Sequence, residues 1–247
     1  VPTTYWCCVN CPGNPEAWRR HAPYHKKVRR QRNMLEDGGV AHQQRAREIA
    51  EEAARLATPS GDAYLELLTD GLRYLSQQDT RRAARANREA IALRPDVPHA
   101  YYNLGIALNN SEHIVEAAQR FLEAKERYPV GSQMWAQAMA WAFSLLTQEE
   151  CAEVAKPEWW NDEELKALSA RVVRAAPDER QAHMMRAYVL SGQRMGLARA
   201  AYGPRSAAEL REAATHYDRA AALCPAPAMK VELAEDAAWC RSQAEAL

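Results

Sequence analysis

Four prolines divide this chain at regular intervals: Pro95 to Pro129 is 34 residues, and Pro129 to Pro177 and Pro177 to Pro225 are 48 each. Each closes an alanine-rich run of helical periodicity, most clearly ARVVRAAP and DRAAALCP. Proline lacks the N–H and the backbone freedom that a continuing helix needs. Helix pairs recurring at a fixed interval bury a continuous core only by stacking on their neighbours, so the spacing predicts a helical repeat array. Such an array presents binding surface and usually no chemistry. Runs such as AREIAEEAARLA and REAATHYDRAAAL use the strongest helix former, and two Phe and ten Gly argue against a strand-rich sandwich. The predicted fold class is all-α, an α-solenoid of antiparallel helix hairpins.

The clearest unit is PHAYYNLGIALNNSEHIVEAAQRFLEAKERYP, ending at Pro129. Apolar residues fall at helical spacing in two runs, and Asn109-Asn110-Ser111 breaks the first and caps the second. Gly105 and Ala117 are small where the two helices of one hairpin cross, with Phe121 and Ala124 on the same seam. Tyr101-x2-Leu104-Gly105-x2-Leu108 followed by Ala117-x3-Phe121-x2-Ala124-x4-Pro129 resembles the tetratricopeptide repeat signature. The preceding 34 residues keep the register at Gly71, Tyr74, Ala83, Ala90 and Pro95, with Asp70 and Asn87 replacing the family Leu and aromatic.

The expected organisation is an arm over residues 1–36 and a tetratricopeptide-like solenoid over 37–247. Within the solenoid come a capping helix at 40–57, repeats at 64–97, 98–131, 132–179 and 180–227, and a terminal capping helix at 228–246. Fourteen extra residues in each long unit are close to four helical turns, which predicts taller hairpins. The first helix of the third repeat would run from Trp135 to about Lys156, and that of the fourth to about Tyr202. Gly192 and Gly196 are alternative breaks in the latter.

The resemblance implies that the first helix of each hairpin lines a concave groove suited to other proteins. The positions so implied include Leu68, Leu72, Tyr102, Asn103, Ile106, Gln137, Met184, Met185 and Tyr188, and they carry no charge. An uncharged groove suits a hydrophobic helix or an extended neutral peptide; the competing reading is that these side chains are core. Co-chaperones of this family that hold a heat-shock C-terminal carboxylate use Lys, Asn and Arg here. Only Asn103 matches, which argues against that ligand. Trp159-Trp160 is either a contact hot spot for a partner or a cover folded over a helix end.

Cys8-x2-Cys11-x9-His21-x3-His25 has the residue types of a tetrahedral zinc site, with a middle spacer shorter than the usual finger. Free thiols and solvated imidazoles are the alternative. Arg19, Arg20, Lys26, Lys27, Arg29, Arg30 and Arg32 form a basic stretch without a carboxylate, suited to RNA phosphates or to an acidic partner subunit. The whole chain carries 32 basic and 32 acidic residues, so bulk charge does not make it a polyanion binder. No run approaches the roughly 18 apolar residues of a membrane span, and the start at Val1-Pro2 fits a processed or truncated product. No phosphate loop, nucleophile elbow, paired-His protease motif or dinucleotide fingerprint appears. The expectation is a non-enzymatic, intracellular and soluble scaffold, adaptor or structural subunit within a larger assembly. An RNA- or ribosome-associated protein, and an organellar accessory subunit of a membrane complex, are the alternatives.

Overall fold

A computed structural model describes residues 62–192 and 204–247. They form nine α-helices and no strand among the described residues, packed as two units that divide between Arg127 and Tyr128. The arm over 1–36 and the predicted cap at 40–57 lie outside the described residues.

In the first unit, α1 (Ala63–Ser76), α2 (Thr80–Leu93), α3 (Pro98–Asn109) and α4 (Ile114–Arg127) each pack on the next, and α1 also meets α3. Local chemistry sets where they begin. Asp62 caps α1 by accepting from the Tyr64 N–H at 3.1 Å, and Asp79 caps α2 by accepting from the Arg82 N–H at 3.0 Å. The α1–α2 and α3–α4 turns are copies. Gln78 and Glu112 take positive φ of 60° and 61°, and the Asp79 and His113 N–H groups reach back to the Tyr74 and Leu108 carbonyls at 2.9 Å each. Two non-glycine residues in the left-handed region, 34 positions apart, show that one backbone solution is used twice.

The second unit holds α5 (Gln133–Leu146), α6 (Asp162–Ala175), α7 (Arg180–Ser191), α8 (Ala207–Leu223) and α9 (Pro227–Glu245). Consecutive helices pack together and α5 also meets α7. Ser206 and Glu209 form a reciprocal capping box at the start of α8, as the sequence predicts. The terminal helix buries a single face through Leu233, Ala237, Cys240 and Ala244.

The closing prolines keep their register throughout. Pro95, Pro129, Pro177 and Pro225 each stand two residues beyond the end of α2, α4, α6 and α8. At twelve, eight and five residues before them lie Ala83, Asn87 and Ala90; Ala117, Phe121 and Ala124; Leu165, Ser169 and Val172; and Ala213, Tyr217 and Ala220. All twelve are completely buried. The seam at Gly105 is as close as the sequence implies, because a Cβ there would lie 3.0 Å from three atoms of the Phe121 ring.

The expected elongation of the hairpins is wrong. The helix expected to reach Lys156 ends at Leu146, and the one expected to reach Tyr202 ends at Ser191. In the third repeat the extra residues sit in the connector 147–161 instead; residues 193–203 of the fourth lie outside the described residues. Thr147 caps α5 by donating from its Oγ1 to the Ser144 carbonyl at 2.7 Å. Glu149 and Glu150, which would oppose the dipole at the end of a longer α5, open a separate 3-10 turn. Gly192, at φ 69°, gives α7 a left-handed stop.

Candidate functional site

Two of the first helices differ sharply from every second helix, while α1 carries three charged residues and α7 two. Neither α3 nor α5 contains an Asp, Glu, Lys or Arg, whereas α2, α4, α6 and α8 carry five or six each. Of the positions expected to line a groove, Leu68, Tyr102, Gln137, Met185 and Tyr188 are buried, and Leu72, Asn103, Ile106 and Met184 are half-buried. The buried aromatics tie each first helix to its own hairpin. Tyr102 packs edge-on against Phe121 with centroids 5.3 Å apart, and Tyr188 meets Tyr217 in the same way at 5.8 Å. These contacts gain from burial and from ring-edge geometry. The half-buried set therefore supplies the accessible part of the predicted surface.

Charge enters this surface from a position the sequence reading did not consider. Glu179, at the N-cap of α7, accepts from the side-chain amides of Gln137 and Gln133, the latter at 3.5 Å. One residue on, Arg180 directs its Nη1 at the sulfurs of Met184 and Met229, each at 3.2 Å. Both residues fall outside the positions that the resemblance implies because they precede or open the helix. The two Gln spaced four apart on α5 were the available signal, since two parallel amides on one helix face suit a shared carboxylate.

The tryptophan pair lies in the connector after α5. Trp160 stacks on Phe143 with centroids 5.3 Å apart and an interplanar angle of 27°, and both Trp are half-buried. Lys156 fixes the path of this connector. Its ammonium donates to the carbonyls of Leu146 at 2.9 Å and Cys151 at 2.6 Å, and it lies 5.5 Å from the Trp160 ring centroid. It satisfies one of the carbonyls left open at the end of α5 while its charge rests near an aromatic face. Burial lowers the Lys156 pKa. Trp160 thus covers α5, and Trp159 is carried beside it at 5.7 Å.

Charged groups join Arg205, just before α8, to α6 and α8. Arg205 pairs with Asp162 at 2.6 Å, and Lys166 bridges Asp162 at 2.9 Å and Glu209 at 2.6 Å. Nearby, His183 and His216 face each other across α7 and α8. Glu212 lies one turn before His216 on α8 and 3.7 Å from it.

Cys8, Cys11, His21 and His25, and the basic set Arg19, Arg20, Lys26, Lys27, Arg29, Arg30 and Arg32, lie outside the described residues. Among the described residues, no group of three or more His, Cys, Asp or Glu is assembled to hold a metal ion, and no helix is long and apolar enough to cross a membrane. Cys151, Cys224 and Cys240 are buried free thiols, with burial pushing Cys240 up to about 11. No family model matches the chain, and no curated protein matches it.

Proposed function

We propose that the chain is a non-catalytic protein–protein interaction scaffold of tetratricopeptide-like hairpins, which holds uncharged segments of other proteins against its first helices. The observation that carries this reading is the absence of charge from α3 while the second helices are densely charged. On α3, Asn103 and Ile106 are half-buried and adjacent to the seam residues Leu104 and Gly105. An apolar anchor beside an amide is a recognition chemistry for a helix or strand whose backbone and apolar side chains are both read. In the second unit, Met184 supplies a polarizable and adaptable contact beside Arg180.

Affinity capture from the native extract tests this. Ile106→Asp and Met184→Asp are expected to lose a defined protein set that Arg85→Glu retains, Arg85 being exposed on α2, with helical content checked in each variant. Retention of the same set by all three variants would refute the reading.

A further inference from the structure

The Nδ1 atoms of His183 on α7 and His216 on α8 lie 2.9 Å apart. The ring centroids are 5.1 Å apart, close to the nitrogen separation plus two ring radii, so the nitrogens meet head-on as donor and acceptor. Two ligands of one metal would instead converge on a point to one side of that line. The proton inventory is fixed by the surroundings. His183 Nε2 is 2.9 Å from the Pro177 carbonyl, which only accepts, so that nitrogen carries a proton. Neutral His183 then offers a bare Nδ1, and His216 must donate to it from its own Nδ1. In a neutral His216 the Nε2 is then bare, 3.7 Å from a Glu212 carboxylate that Arg186 already holds through Nε at 2.9 Å and Nη2 at 2.7 Å.

We propose that this imidazole pair is a proton-operated clasp between α7 and α8, closed while both rings are neutral in these two different tautomers and opened by acid. His183 is 6% exposed and the His216 side chain 17%, so a charge on either ring loses most of its hydration while the clasp is closed. Charged neighbours do not reverse this. Arg219 and Asp178 face His183 with opposite signs, as Arg186 and Glu212 face His216. Among the described residues, no charged side chain of another helix is among the groups that act on either ring. Gln133 and Gln137 of α5 meet Glu179, the Lys166 carbonyl and Ser169 of α6 meet Arg186, and Met229 of α9 meets Arg180.

The sign of the coupling follows from burial. Burial first, then the His183 ring, holds His216 down at about 4 while closed; burial also lowers His183. Open rings titrate near the ordinary histidine value of about 6.5. Closure is therefore fully favoured above that value and is lost as pH falls from there toward 4. For His216 alone, opening becomes about 30-fold more favourable at pH 5 than at pH 7.5.

Two measurements on the full chain test the proposal. Nitrogen-15 NMR of the histidine rings at pH 7.5 is expected to show an Nε2–H tautomer at His183 and the less common Nδ1–H tautomer at His216. Hydrogen exchange, corrected for its intrinsic pH dependence, is expected to show protection of α7 and α8 falling about 30-fold from pH 7.5 to pH 5. In His216→Asn, whose amide keeps a donor but does not titrate, most of that fall should disappear. An Nε2–H tautomer at His216, or an equal acid response in His216→Asn, would overturn the proposal. The NMR measurement uses the unaltered protein and decides the matter even where the variant folds poorly.

Discussion

Replacing Gly105 by alanine sets two effects of known sign against each other. In an unconstrained helix interior, alanine is favoured over glycine by about 1 kcal/mol. At Gly105 the new methyl would lie 3.0 Å from Cε1, Cε2 and Cζ of Phe121, and the ring has little room to retreat. Phe121 is completely buried, and Tyr102 packs edge-on against it. Overpacking of this kind costs about 1–3 kcal/mol, so Gly105→Ala should destabilise the first unit by roughly 1 kcal/mol despite its helix preference. Phe121→Leu removes the ring and with it the obstruction. In that background the same Gly105→Ala change should turn neutral or stabilising, a coupling of about 1–2 kcal/mol between the sites. Urea denaturation of the four proteins, followed by helical circular dichroism, gives the cycle, with hydrogen exchange over α3 and α4 assigning the change to the first unit. Stabilisation by Gly105→Ala in the parent chain, or a coupling below about 0.5 kcal/mol, would show that the helices do not meet at this seam as described.

Two further outcomes follow from the second unit. Burial acts to raise the Glu209 carboxyl, but its bonds to Lys166 and Ser206 prevail and hold it at about 2; it contributes stability above its ordinary value, lost as pH falls from about 4.5 toward 2. Glu209→Gln should therefore flatten the fall in urea midpoint between pH 5 and pH 2.5, and an unchanged fall would count against the Lys166 bridge. Lys156→Met removes the cation from the Leu146 and Cys151 carbonyls, with an expected loss of roughly 2 kcal/mol. Tryptophan emission should shift to the red as Trp160 loosens from Phe143; unchanged stability and emission would show that Lys156 does not hold the connector.

The helices were legible where sequence and packing impose the same periodicity. The prolines marked the ends of α2, α4, α6 and α8, and the seam residues Gly105, Ala117, Phe121 and Ala124 came together as their spacing requires. The misreading of the long units has a physical cause. Fourteen residues preserve helical phase whether they extend a helix or form a loop, so periodicity does not separate the two. The separating signals were local: Gly192 as a left-handed stop, and acidic residues rather than basic ones after Leu146. Lys156, whose partners are backbone carbonyls five and ten positions away, leaves no mark in a side-chain pattern. The His183–His216 contact joins residues 33 apart across two helices, and only the Glu212 to His216 spacing was visible in advance.

Photo-crosslinking from single sites tests the scaffold reading most directly, because it asks which helices touch a partner. Benzoylphenylalanine placed at Ile106 or Met184, on first helices, and at Arg85 or Arg211, exposed on second helices, would be irradiated in the native extract. The account predicts discrete crosslinks to other polypeptides from Ile106 and Met184 and none from Arg85 and Arg211. Crosslinks of equal yield from the second helices, or none from the first, would contradict it.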